Sequence, residues 1–226
     1  MRKWNELPWD MQVEEVRKYY EILQKHKAAI LWKRIFDILV SGILIILTSP
    51  IFLILSLLIK LDSKGPVIFR QIRITTYGKK FRICKFRTMV NHAEKMGSQV
   101  TTKGDARVTR MGKLLRGCRL DELPQLFNIL SGDMTFVGTR PEVEKYVKQY
   151  TNEMKATLLL PAGVTSRASI EYKDEEKLLE NAENADEVYV QNVLPGKMKY
   201  NLKAIENFGF WEDIKTMFAT VVAVIK

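Results

Sequence analysis

At 226 residues with a net charge of +10, the chain has room for one sizeable core and a small appendage. Two cysteines (Cys84, Cys118) and two histidines (His26, His92) in unrelated contexts match no metal-ligand spacing and suit a reducing compartment. The basic residues are spread through 70–119 with no zinc finger or RNP-type aromatic motif, which argues against nucleic acid and for anionic lipid or a phosphorylated substrate.

Residues 1–32 read as an exposed or interfacial helix, with Trp4, Trp9, Tyr19 and Tyr20 suited to a headgroup boundary or to a partner. Residues 38–59 (ILVSGILIILTSPIFLILSLLI) then run without a charge. About 20 such residues cross the apolar slab of a bilayer, and a helix apolar all round has no use on a soluble surface. Starting this far into the chain and lacking a small-residue cleavage pattern, the segment does not read as a signal peptide. Ser49-Pro50 lies at its midpoint, and proline removes a backbone donor there. The Thr48 or Ser49 hydroxyl can compensate the freed carbonyls. Lys33 and Arg34 before the segment, and Lys60 and Lys64 after it, give both ends the positive flank of the cytoplasmic side. A helix bent at Ser49-Pro50 that enters and leaves by one leaflet satisfies both flanks; a kinked spanning helix is the alternative. Asp37 calls for a cation, and Arg34 lies three residues earlier on the same helical face.

After Gly65-Pro66 the pattern alternates, with strands at 67–74 and 81–86 around Thr76-Tyr77-Gly78-Lys79 predicting a hairpin with one basic face. Helices are expected at 88–97, 109–117, 122–131 and 142–157. Further helices are expected at 174–193 and 197–207, divided by Pro195-Gly196, and an amphipathic stretch from 211 to 225 ends the chain. The fold class is therefore α+β and mostly helical: a small β-hairpin with several helices on a kinked, re-entrant membrane helix. The divisions are 1–32, 33–61 for the membrane hairpin, and 62–226 for the soluble domain.

Three clusters carry candidate chemistry. In Arg116-Gly-Cys-Arg119-Leu-Asp121-Glu122-Leu-Pro124-Gln125, Asp121 falls where a helix N-cap belongs. A helix N-terminus keeps such a carboxylate ionised and favours a docked phosphate, and a divalent cation screens the repulsion. A carboxylate so placed is able to attack phosphorus, and a plain helix cap is the other account. Gly138-Thr139-Arg140-Pro141-Glu142 presents a guanidinium fork suited to phosphate, or simply leads into a helix. Lys85-Phe86-Arg87-Thr88-Met89 ends a strand with alternating cations.

Together with Lys33-Arg34-x-x-Asp37, Ser49-Pro50, Gly65-Pro66-Val67-Ile68-Phe69-x-Gln71 and Asp105-x-Arg107-x-Thr109-Arg110-x-Gly112, these clusters resemble the bacterial sugar transferase family, the monotopic phosphoglycosyl transferases. The resemblance runs from about residue 33 to the last residue. It implies an enzyme at the cytoplasmic face of a bacterial cell membrane that uses Mg2+, with Asp121 as nucleophile and metal ligand and Glu122 assisting with metal or proton. It implies a UDP-sugar donor held by Arg116, Arg140, Pro141, Lys85 and Arg87, and a polyprenyl (undecaprenyl) phosphate acceptor. Arg34 and Asp37 would organise the helix broken at Ser49 and Pro50 on the lipid-phosphate side. Membrane lipid, a second copy of the chain and downstream glycosyltransferases are the further expected partners, and nucleic acid is not. The chain has Thr139 where the family often has proline, and its sequence after Pro161-Ala-Gly-Val-Thr-Ser-Arg167 departs from the commoner Gly-rich version. That region is expected to bear on sugar choice. The reading from another class is a non-catalytic, membrane-anchored basic interaction protein.

Overall fold

A computed structural model of the protein describes residues 1–93, 96, 105–178 and 184–225. Two 3-10 turns (Trp4–Glu6, Trp9–Met11) lead into α1 (Glu14–Lys25), and His26 separates it from α2 (Lys27–Asp62). An antiparallel hairpin follows, β1 (Ile68–Ile74) and β2 (Lys80–Phe86), with Gln71 opposite Ile83. Next come α3 (Arg110–Gly117), a 3-10 turn (Leu120–Glu122), α4 (Gln125–Ser131) and β3 (Met134–Val137). Then α5 (Glu144–Val147) and a 3-10 segment (Glu153–Leu159) precede β4 (Ala162–Thr165), which pairs parallel to β3. The chain closes with α6 (Arg167–Glu171), α7 (Glu175–Leu178), α8 (Ala185–Val188), α9 (Leu194–Glu206) and α10 (Phe210–Ile225).

The expected α+β, mostly helical class with one small hairpin and one long apolar helix is what the chain adopts. The helix is not divided at its midpoint: α2 continues through Pro50 as one element. The reason is local. Pro50 cannot donate to the Ile46 carbonyl, and the Ser49 hydroxyl donates to that same carbonyl at 2.8 Å instead. Thr48 donates likewise to Leu44. Burial along α2 is confined to its two ends, Lys33, Asp37 and Ser41 at one and Leu55 and Ile59 at the other. Between 46 and 51 every residue except Thr48 is exposed, and Leu39, Ile46, Leu47 and Leu53 present bare apolar side chains.

Arg34 and Asp37 do not pair. Arg34 donates to the carbonyls of Ile129 and Leu130, closing the C-terminus of α4, where a cation meets the negative helix end. Asp37 accepts from the Thr135 hydroxyl at 2.6 Å and from the Phe136 N–H. Lys33 donates to the Val137 carbonyl and to Asp213 of α10. At the other end, Asp62 accepts from the Met111 N–H in the first turn of α3. Both ends of the apolar helix are thus fastened to one soluble body.

The stretch expected to be exposed or interfacial at the start of the chain buries a face instead. Val16, Tyr19 and Leu23 of α1, with Leu7 and Met11, join Leu159, Tyr189, Met198 and Leu202 in the largest core cluster, while Trp9 stays exposed. Several helix boundaries also differ. Residues 88–93 turn rather than coil, with Met89 bridging Val108, and part of the expected 88–97 helix lies outside the described residues. The 142–157 stretch breaks into α5 and a 3-10 segment. Pro195 and Gly196 divide nothing: α8, a π-helical turn (Tyr189–Val193) and α9 run on without a break, and the widened turn lies directly before the proline that cannot donate.

Two further clusters lie under α2 and flank the turn at 120–122. Phe81, Ile83, Leu126, Ile129 and Met134 form one, and Leu55, Ile59, Phe86 and Leu115 form the other; Leu123 packs against both. Asn128 joins α4 to the hairpin as an extra strand would. Its carboxamide oxygen accepts from the Cys84 N–H and its nitrogen donates to the Arg82 carbonyl. Asn128→Ala leaves both backbone groups without a partner, and we expect a loss of about 2 kcal/mol or more of stability, measured by thermal unfolding in detergent. An unfolding midpoint equal to that of the parent would show that water replaces the carboxamide at no penalty.

Candidate functional site

The site forms where α3 hands over to α4 against the end of β2. Thr109 caps α3 by accepting from the Gly112 N–H, and Gly112 is required because a Cβ there would overlap the Thr88 backbone. That close approach lets the Arg116 Nε donate to the Thr88 hydroxyl at 3.0 Å. The helix ends at Gly117 as expected, and the left-handed conformation that glycine usually supplies after a helix falls instead on Arg119, with a φ of 56°. The reversal swings the chain into the Leu120–Glu122 turn. Asp121 is therefore not the N-cap of α4: neither the turn nor α4 has a side-chain cap, and α4 begins after Pro124.

Glu122 and Asp121 divide the labour between two adjacent carboxylates. One Glu122 oxygen takes the Lys85 ammonium at 2.9 Å and the Arg140 fork at 2.7 Å. Burial by itself would raise the Glu122 carboxyl, but Arg140 and Lys85 outweigh it and hold the group far below the usual carboxylate range. Glu122 in turn pushes the Arg140 guanidinium above its ordinary range. Lys85 moves the other way, lowered by burial against the pull of Glu122.

Asp121 is 8% exposed and, among the described residues, its carboxylate has no hydrogen-bond or ion-pair partner. Burial pushes its carboxyl up, with Lys85, Arg116 and Arg140 drawing it back and Glu122 adding to the rise. This balance takes the place of the expected helix terminus, and Arg116 contributes to it.

Arg140 reaches Glu122 because its loop is held against β4. Gly138 donates to the Thr165 carbonyl and Gly163 to the Thr139 carbonyl, each at 2.9 Å. The two glycines face each other so closely that a Cβ on Gly163 would overlap the Gly138 backbone. Pro141 does not face the site; its carbonyl accepts from Arg73.

Of the expected site residues, the structure brings Lys85, Asp121, Glu122 and Arg140 together, with Arg116 alongside, and sets the rest apart. Arg87 is buried under α2, donating to the carbonyls of Ile59, Ser63 and Lys64 and to the Ser63 hydroxyl. It clamps the end of α2, and its hydrogen bonds go there rather than to the carboxylates. Arg34, Asp37, Ser49 and Pro50 belong to α2 as described above. Sequence reasoning missed Asn128 and Thr88, whose partners lie 28 to 46 residues away. Among the described residues no three His, Cys, Asp or Glu side chains gather into a metal cage.

Comparison with known proteins shows the family. A model of the family described as bacterial sugar transferase matches residues 28–226. The UDP-N-acetylgalactosamine-undecaprenyl-phosphate N-acetylgalactosaminephosphotransferase of Aeromonas hydrophila is 38% identical over 192 residues, covering 84% of this chain and 42% of that protein. A UDP-glucose:undecaprenyl-phosphate glucose-1-phosphate transferase of Caulobacter vibrioides is 34% identical over 194 residues, covering 84% and 68%. An uncharacterized sugar transferase of Bacillus subtilis is 32% identical over 191 residues, covering 84% and 85%. The chain spans about two fifths of the length of the Aeromonas relative and of the Klebsiella pneumoniae glucose-1-phosphate transferase, which is also 38% identical. With the family matched across nearly all of its length and its motif carboxylates gathered at one site, the chain belongs to the bacterial sugar transferase family.

Proposed function

We propose that the protein transfers a sugar 1-phosphate from a UDP-sugar to undecaprenyl phosphate at the cytoplasmic face of a bacterial cell membrane, priming lipid-linked glycan assembly. The observation that carries this reading is the buried Asp121 carboxylate, left without a partner beside cations that its neighbour Glu122 holds in place. A group meant to cap or brace would be paired; a nucleophile has to be free. An Asp121 oxygen attacks the β-phosphorus of the donor, the bond from that phosphorus to the bridging oxygen breaks, and its electron pair leaves with UMP. An oxygen of the lipid phosphate then attacks the same phosphorus and returns the electron pair to Asp121, giving the lipid diphosphate sugar. Lys85, Arg116 and Arg140 face the charge that shifts among the phosphate oxygens. Glu122 keeps Lys85 and Arg140 in position, and its deeply ionised carboxylate is unsuited to carrying a proton.

The residues present fit a magnesium ion that substrate completes. Mg2+ takes one or two carboxylates, waters and substrate phosphates rather than a full protein cage, and Asp121 is the free carboxylate of the site. Such an ion would screen the carboxylate from the diphosphate it approaches. The exposed apolar middle of α2, between two ends fastened to one body, favours a helix that dips into one leaflet and returns over one that spans. Basic residues at both ends support a cytoplasmic location for that body.

Asp121→Asn changes no hydrogen bond of the fold and removes the attacking anion. In detergent or nanodiscs with magnesium, undecaprenyl phosphate and a panel of UDP-sugars, it is expected to reduce UMP release by about a thousandfold or more. Retention of release within about tenfold of the parent would sink the nucleophile assignment.

The same burial sets the pH dependence. Asp121 must lose its proton to attack, and its carboxyl lies above the usual aspartate range, so UMP release at limiting donor rises with pH through a limb above that range. Lys85→Met removes a cation that draws the group down, so the acid limb moves to higher pH. A limb that stays in place or moves to lower pH in Lys85→Met would assign it to another group.

A further inference from the structure

Behind the Arg140 loop lies a set of buried charges that the transfer chemistry does not use. Lys197 of α9 is 4% exposed, and its ammonium donates to Glu175 at 2.9 Å and to the Tyr189 hydroxyl at 3.0 Å, with Glu142 at 3.7 Å. Tyr189 donates its own proton to the same Glu142 oxygen. The other Glu142 oxygen faces Arg73 at 3.8 Å. Arg73 donates to the Pro141 carbonyl, and the Ile74 N–H donates to the Glu142 carbonyl.

The set has two cations, Arg73 and Lys197, against two carboxylates, Glu142 and Glu175, so removing one member leaves a charge buried without its counter-ion. Its directions matter as much as its balance. The set meets the chain just after Arg140, where Arg73 holds the Pro141 carbonyl and the next residue of its strand, Ile74, holds that of Glu142. On the opposite side the loop is held by the Gly138 and Gly163 N–H bonds to β4 and the Thr139 carbonyl. Arg140 projects from between these two tethers to Glu122.

We propose that Lys197 is a positioning residue for the donor half-reaction: through Tyr189, Glu142 and Arg73 it fixes the loop from Thr139 to Pro141 and thereby holds the Arg140 fork on Glu122. The assignment rests on the phosphosugar-transfer reading for its catalytic consequence and on the hydrogen bonds alone for its structural one, so the two can fail separately. A lysine at this place links helices near the end of the chain to a loop about sixty residues earlier, which makes the geometry of that loop depend on how α9 is seated.

The test is a double-mutant cycle on full-length protein in detergent. Lys197→Met keeps the length of the side chain without its charge. It is expected to slow UMP release at limiting UDP-sugar about tenfold, with Lys197→Arg recovering most of the loss. In an Arg140→Ala background the same Lys197→Met change is expected to alter the rate by less than about twofold, because the group it acts through is gone. Equal losses in both backgrounds, or none in the parent, would overturn the proposal. Amide hydrogen exchange supplies a readout that needs no activity: the Ile74 and Gly163 N–H groups, which bond to the loop carbonyls, should exchange faster in Lys197→Met than in the parent. Unchanged exchange there overturns the positioning role even if release falls. Faster exchange in a protein whose parent releases no UMP from any donor would support the loop tether while removing the transfer reading. If Lys197→Met does not fold, Tyr189→Phe replaces it in each arm, since it deletes only the hydroxyl that joins Lys197 to Glu142.

Discussion

Two cations sharing one oxygen of Glu122 is the contact from which the rest of the site is built. Glu122 is the most withdrawn of the three from water, with Lys85 next and Arg140 half-buried, so the two cations offset a carboxylate that would be costly to leave alone. Together they join three separate pieces of chain: Lys85 from the end of β2, Glu122 from the turn after α3, and Arg140 from the loop after β3. The neighbouring carboxylate is a consequence. Because Glu122 takes both cations, Asp121 feels their charge without being bonded to either, and it stays free while buried. Exchanging the roles of the two residues would give a paired, quiet aspartate.

The membrane helix enters this arrangement through its ends. Arg87 clamps the last carbonyls of α2, and the next residue, Thr88, receives Arg116 and supports α3. At the other end Arg34 closes α4, whose Asn128 braces the strand that carries Lys85. The helix is therefore part of the frame that sets the distance between β2 and the turn at 120–122, and not merely a tether. Its outward face remains apolar because nothing in the soluble body needs it, which is what a lipid-facing surface requires.

Much of this was legible in the order of residues, and the failures have physical causes. The charge-free run at 38–59, the hairpin and the amphipathic last helix follow from periodicity, which acts over a few residues. Even the Ser49 hydroxyl serving the carbonyl that Pro50 leaves open is a local matter. Asp121 does stand among the gathered charges, but not as the helix cap its place in the sequence suggests. The helix-cap reading assumes that α4 starts at once, whereas the left-handed Arg119 inserts a 3-10 turn that no propensity of arginine announces. Arg87 was misread because an alternating basic strand looks exposed, and only the tertiary position of α2 shows that its end needs a buried donor. Pro195-Gly196 reads as punctuation, since the sequence does not announce the π-helical turn that carries the helix past a proline. The Arg34–Asp37 pair failed for a similar reason: both side chains found stronger partners in α4 and β3, about a hundred residues away.

The charge balance of the site also bears on the proposed transfer. With Asp121 ionised, Asp121 and Glu122 offset Lys85 and Arg140. A diphosphate arriving at such a site meets little net attraction and a bare carboxylate aimed at it, so a divalent ion between the two is the natural complement. In the proposed intermediate the ester at Asp121 would be neutral at that oxygen, while the attached phosphodiester would carry one negative charge in place of the carboxylate's. The balance against Lys85 and Arg140 would therefore be unchanged, and the lipid phosphate would meet the same charges that the donor met. One arrangement of side chains would thus serve both halves of the proposed transfer and need no moving part.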